Sequence, residues 1–178
     1  MAMNNILLST AAQQVWDFLC RNPQQAFFSA EVAQRTLLSK GGVNQILRTM
    51  ARQGLLQTEK KGRMIFYRVD SASPLIKQFK VFRNVTLAEE LIKKIKPFSE
   101  KIILFGSSAR GEDTPESDFD IFAVSREKEK ARNLVSPVKD GRKVQLVIKT
   151  PQEFIVLEKK EPVFYEEIQR GIVLWEKR

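Results

Sequence analysis

Asp118 and Asp120 stand either side of Phe119 and lead into the apolar run Ile121-Phe122-Ala123-Val124. In an extended strand alternate side chains share a face, so the two carboxylates project together while Phe119 and Ile121 take the other side. Two unpaired carboxylates repel each other. A hard divalent cation, Mg²⁺ or Mn²⁺, resolves that repulsion and brings an affinity for phosphate oxygens. About ten residues upstream, Gly106-Ser107-Ser108 follows the apolar run Ile102-Ile103-Leu104-Phe105. A glycine lets the backbone approach a ligand with no side chain in the way. Ser107, at the start of the next helix, offers a hydroxyl and backbone N–H groups to an anion. Each part alone also has a plain structural role: Asp118 as a turn cap, Asp120 as a lysine partner, Arg110 as a surface charge. It is the joint spacing that favours chemistry.

The whole stretch, KIILFGSSARGEDTPESDFDIFAV, resembles the signature of nucleotidyltransferases of the DNA polymerase beta-like superfamily, and is closest to its minimal members. The shared pattern is strand, Gly-Ser, about ten residues, then Asp-apolar-Asp. The resemblance implies transfer of a nucleoside monophosphate from a nucleoside triphosphate to an acceptor hydroxyl, with release of pyrophosphate. It implies that Asp118 and Asp120 hold Mg²⁺ and that Gly106 and Ser107 cradle the triphosphate. Arg110 falls where the minimal members often carry an arginine, within reach of a phosphate oxygen.

One position departs from the family pattern. Active members carry a third carboxylate on the following strand, and the matching residue here is Gln145, within Val144-Gln145-Leu146. A neutral amide cannot act as general base, and loss of such a base typically costs about 10²–10⁴-fold in rate. Asp140 is expected in a turn and is a poor geometric substitute. Glu112, Asp113 and Glu116 lie in the loop before Asp118 and are further candidates. Two readings follow: an active transferase, or a DNA-binding regulator whose degenerate transferase domain senses a nucleotide or dimerises.

The elements needed to position these residues are present. Residues 101–105, 121–124, 143–149 and 172–177 read as strands. Pro151 opens one helix, and PVFYEEIQRG forms another that ends at Gly171. The order is βαββαβ-like, a small α/β fold with a mixed sheet.

The first half has a different character. Residues 1–96 carry 15 basic against 6 acidic side chains, whereas residues 97–178 carry 15 of each. All of the +9 net charge therefore sits in the first half, which points to a polyanionic partner. Residues 10–21 show helical spacing of Ala11, Val15, Phe18 and Leu19, with Cys20 beside them as a small core residue. Ser29 is expected to cap a second helix, with Glu31 near its positive end. A third helix starts near Ser39 and buries Val43, Ile46, Leu47 and Met50. Its other face shows Lys40, Gly41, Asn44, Gln45, Arg48 and Arg52. Residues 56–59 and 64–69 read as a hairpin with Lys60-Lys61-Gly62-Arg63 at its tip.

Three helices and a basic-tipped hairpin over residues 8–70 resemble the winged helix-turn-helix family. The resemblance implies a DNA-binding domain whose third helix enters the major groove while its wing touches the backbone. Asn44 and Gln45 then suit adenine edges, Arg48 a guanine, and Lys60, Lys61 and Arg63 phosphates, with Lys40 and Arg52 on the same surface. Ser71-Ala72-Ser73-Pro74 is loop chemistry. Beyond it, Leu75, Phe79 and Phe82 mark one short helix, and Thr86 to Glu89 reads as the capping box of a second.

The expected organisation is α+β: a winged helix-turn-helix over 1–73, a helical linker over 74–96 and a nucleotidyltransferase-like domain over 97–178. The expected partners are double-stranded DNA, a nucleoside triphosphate and a second copy of the chain. Apolar residues make up 43% of the 178, enough for a core, and no apolar run reaches the roughly 18–20 residues of a membrane span. The single cysteine excludes an intrachain disulfide, and with no basic flank before the first apolar patch a cytoplasmic location is expected. With no histidine present, every mechanism that needs a histidine base or ligand is excluded.

Overall fold

The computed structural model describes residues 10–177, and the chain divides into two compact units, Met1–Lys77 and Gln78–Arg178.

In the first unit, α1 (Ala11–Arg21), α2 (Ser29–Thr36) and α3 (Lys40–Arg52) pack around Val15, Leu19, Cys20, Val32, Val43 and Leu47, all of them buried. Thr10 caps α1 through a reciprocal box with Gln13. Ser29 does not cap α2. It is the first helical residue, and the Glu31 carboxylate accepts the Phe28 N–H at 3.0 Å, satisfying the helix start from within. Leu37 ends α2 in the left-handed region (φ 58°), and Ser39 then caps α3 by accepting the Gly42 N–H.

Three antiparallel strands complete the unit, in the order β1 (Phe27–Phe28), β3 (Met64–Arg68), β2 (Gln57–Lys61). The β2–β3 turn is tighter than the expected four-residue tip. Lys60 pairs with Ile65 and Lys61 with Met64, so only Gly62 and Arg63 turn the chain. Gly62 sits at φ 61°, the conformation a two-residue hairpin requires. The two-residue strand β1 is too short to carry a period and was not expected.

Residues 74–95 form one helix, α4 (Pro74–Ile95), rather than two. The Thr86 hydroxyl donates to the Arg83 carbonyl at 2.7 Å within the continuous helix, so it does not cap a new one.

The second unit is a four-stranded sheet in the order β6 (Val144–Lys149), β5 (Phe119–Val124), β4 (Lys101–Leu104), β7 (Ile172–Glu176). β5 and β6 run parallel, and the other pairs are antiparallel. Ala88, Leu91 and Ile95 of α4 pack with Ile102, Leu104, Phe119 and Ile121 on one face. Ile103, Phe105, Phe122 and Val124 pack on the other face against Leu157 of α8 (Leu157–Lys160) and Ile168 of α9 (Pro162–Gln169). A Cβ at Gly171, just before β7, would lie 2.6 Å from the Leu104 carbonyl, so only glycine lets this chain turn seat against β4. Three further short α-helices belong to the unit, α5 (Gly106–Arg110) after β4, and α6 (Lys128–Asn133) and α7 (Pro151–Ile155) flanking β6, and a 3-10 turn, Lys96–Phe98, joins α4 to β4. Among the described residues no helix is long and apolar enough to cross a membrane.

Candidate functional site

The alternation along β5 fixes the aspartates. Phe119 and Ile121 are fully buried on the α4 face, so Asp120 shares the opposite face with Phe122 and Val124, toward α9. Asp118 is exposed just before the strand, and Asp120 is half-buried. Burial pushes the Asp120 carboxyl above its ordinary range. The negative charges of Asp118 and Glu167 push the same way, and Arg110 opposes them. Asp118 therefore acts on Asp120 as a like charge.

Gly106 closes the site from the other side. It opens α5 at φ 65°, and a Cβ built there would lie 2.5 Å from Asp120 Oδ2. The turn and the carboxylate are thus in contact across the β4–β5 pair, where the Phe105 N–H donates to the Asp120 carbonyl at 3.1 Å. Ser107 follows directly, partly exposed.

Arg110 is held by two carboxylates. Its Nε donates to Glu112 at 3.0 Å, and its Nη1 lies 3.5 Å from Glu167 on α9. Glu167 is the site residue that sequence reasoning missed. No local pattern marks it, because α9 brings it to Asp120 from 47 positions along the chain.

Gln145 lies directly opposite Asp120 in the parallel β5–β6 register and is exposed. It therefore occupies the position from which a third side chain would face the aspartates, about 4.8 Å away across the sheet. Of the other acidic candidates Glu116 is exposed, and the remaining three are engaged with arginines. Asp113 is buried against Arg142 (2.8 Å), Asp140 against Arg83 and Arg142 (3.0 Å each), and Glu112 holds Arg110. Burial raises the Asp140 carboxyl, but Arg142 and Arg83 more than offset this and leave it below its ordinary range. Among the described residues no group of three or more acidic or thiol side chains is placed to hold a metal ion. Asp118 and Asp120 alone fit Mg²⁺ of the kind that takes one or two carboxylates and fills its other positions with phosphate and water.

The first unit carries a second candidate surface. Gly41, Asn44, Gln45, Arg48 and Arg52 of α3 face Thr58, Ile65 and Tyr67 of the hairpin across an open cleft of about 590 Å³. Lys40, Arg48, Lys60 and Arg63 are exposed. None of these four has an ion-pair partner among the described residues, whereas Arg110, Arg126, Lys128, Arg132, Arg142 and Lys149 of the second unit all do. Lys61 pairs with Glu59 on the exposed strand, and Arg52 reaches Thr49.

Residues 86–172 match the family model of the nucleotidyltransferase domain. From β4 to β7 the two candidate motifs, Gly106-Ser107 and Asp118-Phe119-Asp120, fall inside that match. No curated protein matches the chain. Two solved structures are similar. One is Lactococcus lactis ZitR, as a cysteine-to-serine mutant in complex with DNA, 17% identical with a TM-score of 0.41 over 47% of this chain. The match spans 60% of the ZitR chain. The other is a Sulfolobus solfataricus protein assigned as a nucleotidyltransferase, 19% identical with a TM-score of 0.39, covering 57% of this chain and 87% of that one.

Proposed function

We propose that the chain is a DNA-binding nucleotidyltransferase: the second unit takes a magnesium–nucleoside triphosphate and transfers its nucleoside monophosphate to an acceptor hydroxyl. The observation that carries this reading is the contact of Asp120 with the Gly106 turn, with the like charge of Asp118 acting on the same carboxylate. A glycine in a left-handed conformation abuts a carboxylate that is half-buried and has no basic side chain hydrogen-bonded to it. A site organised only for stability would neutralise Asp120, as Asp113 and Asp140 are neutralised.

In this reading Asp118 and Asp120 hold Mg²⁺, and Gly106 and Ser107 bring backbone N–H groups and a hydroxyl to the phosphates. Arg110 leaves Glu112 and Glu167 for a phosphate oxygen. The cation supplies charge neutralisation at the phosphates and lowers the cost of the developing negative charge. The acceptor oxygen forms its bond to the α-phosphorus as the bond to the bridging oxygen breaks, and pyrophosphate leaves. The acceptor proton passes to solvent, because the Gln145 amide cannot take it.

The first unit is a winged helix-turn-helix in this proposal. Its unpaired cations on α3 and the hairpin grip duplex phosphates, and Asn44, Gln45 and Arg48 address base edges. Release of condensed counterions then makes binding steeply salt-dependent.

A second reading has its own observation. Gln145 stands opposite Asp120 where a carboxylate is expected, which favours a regulator that binds nucleotide without turning it over. One experiment separates the two. The chain is incubated with each α-labelled triphosphate and Mg²⁺, and transfer of label to protein or nucleic acid is measured. Transfer that Asp118→Ala abolishes supports the enzyme. Retention of bound triphosphate without transfer leaves the regulator.

A further inference from the structure

On the α4 side of the sheet, behind the candidate site, lies a buried polar network. Lys80, Arg83 and Asn84 on α4 meet Asp113 in the β4–β5 loop and Asp140 and Arg142 just before β6; Arg83, Asn84, Asp113 and Arg142 are each 5% exposed or less. Arg142 is the hub. Its Nε donates to Asp140 at 3.0 Å, its Nη1 to Asp113 at 2.8 Å and its Nη2 to Asn84 at 2.7 Å. Asn84 Nδ2 donates both to the Ser108 carbonyl at 2.9 Å and to Asp113 at 3.0 Å. Arg83 pairs with Asp140 at 3.0 Å, and Lys80 donates to the Asp113 carbonyl.

Such a network is a poor investment in stability alone. Desolvating each ion costs several kcal/mol, and well-packed apolar replacements of a buried ion pair are often neutral or stabilising. What the network touches explains it better. Asn84 and Arg142 grip Ser108, whose neighbours Gly106 and Ser107 form the phosphate turn. Asp113 ties down the middle of the loop. Arg142 also lies over the Phe119 ring, 5.0 Å from its centroid, and the Phe119 N–H donates to the Lys143 carbonyl at 2.8 Å, next to Arg142. Phe119 is the residue between the two aspartates.

We infer that the Asn84–Arg142–Asp113 network is a positioning device that locks the phosphate turn and the aspartate pair in register with each other. It rests on the proposed nucleotidyltransferase reading and adds residues that the reading does not contain. None of them touches substrate. They act through Ser108 and Phe119, each one residue from a group that does. Eleven residues separate Gly106 from Asp118, and a misplacement of about 1 Å at a reacting centre costs about 10²-fold.

The test compares Asn84→Ala and Arg142→Lys with Leu157→Ala, a core truncation on the opposite face of the sheet that gives a stability loss unrelated to the network. Asn84→Ala removes one neutral member and leaves every ion in place. Arg142→Lys keeps the charge and loses the fork. Thermal melts identify the temperature at which all variants are folded. There, steady-state kinetics with Mg²⁺ and the triphosphate are recorded beside amide hydrogen exchange over residues 106–118. The expected result is a KM for triphosphate raised at least tenfold and faster exchange at 107–113 in both network variants, with Leu157→Ala like wild type in both. Network variants that differ from Leu157→Ala in neither measurement overturn the inference. If wild type itself neither binds nor turns over a triphosphate, the nucleotidyltransferase reading fails, and the exchange rates alone decide. Loosening at 107–113 confined to the network variants then supports positioning, and equal rates overturn it.

Discussion

Replacing Gly106 by alanine tests the contact on which the site is built. Two costs arise. The φ of 65° places an L-residue in the left-handed region, at about 1–2 kcal/mol. The new Cβ would also stand 2.5 Å from Asp120 Oδ2 and 3.2 Å from its Cγ. Ordinary contact begins near 3.4 Å, so the carboxylate must retreat by about 0.9 Å. That movement forces Asp120 off its rotamer, at about 0.5–1.5 kcal/mol. The combined loss of about 2–3 kcal/mol lowers the melting temperature of the second unit by roughly 10–20 °C. Below that temperature the displaced carboxylate lowers nucleotide transfer by about 10²-fold. The decisive comparison is made in an Asp120→Ala background. There only the Cβ of residue 120 remains, 3.4 Å away, and the steric part disappears. Urea unfolding of the four proteins gives the coupling energy between positions 106 and 120, expected at about 1 kcal/mol. A coupling near zero, with Gly106→Ala equally costly in both backgrounds, refutes the contact between turn and carboxylate.

Four further outcomes are expected. Gln145→Glu restores a carboxylate opposite Asp120 and raises nucleotide transfer by about 10²-fold or more, measured as pyrophosphate release; an unchanged rate means that residue 145 does not face the reacting groups. Burial and like charges raise the folded-state carboxyl of Asp120 above its unfolded value, so the stability it contributes is complete below the ordinary carboxylate range and is lost as pH rises through the raised value. Asp120→Asn therefore gains melting temperature over wild type as pH increases from about 4, while losing transfer, and a difference that is flat with pH contradicts the assignment. Leu37 is 92% exposed at φ 58°, so Leu37→Asn relieves left-handed strain without uncovering any core and stabilises the first unit by about 0.5–1 kcal/mol in urea unfolding. In duplex-binding titrations, Arg48→Ala weakens a preferred site by about 1–3 kcal/mol, whereas Lys61→Ala weakens all sequences alike and reduces the salt slope by about 1; affinity indifferent to salt rules out phosphate contact.

What the sequence revealed and what it hid divide by range along the chain. The aspartate pair and the glycine turn were legible because their geometry is local: strand alternation aims Asp120, and only glycine is easy at φ 65°. Gln145 stands opposite Asp120 through one parallel register, and it was the resemblance to the nucleotidyltransferase pattern, not the spacing itself, that pointed to it. Glu167 was invisible, since its approach to Asp120 depends on how α9 packs on the sheet. The network around Arg142 was hidden for the same reason, because Asn84 and Arg142 are 58 positions apart. It also changes the standing of Asp113, which sequence spacing offered as a site carboxylate and which is instead buried against Arg142. The single helix α4 was misread through Thr86, whose hydroxyl bonds a carbonyl three residues back as readily as it caps a helix start.

In the proposed function Asp118 and Asp120 receive a metal-bound triphosphate over the Gly106 turn. Crystals grown with Mn²⁺ and a non-hydrolysable triphosphate test it most directly, because manganese is located by its anomalous signal. The expected result is a metal peak about 2.1 Å from oxygens of both aspartates, with phosphate oxygens against the backbone of Gly106 and Ser107. A triphosphate seated elsewhere, or aspartates left without metal at saturating Mn²⁺, contradicts it.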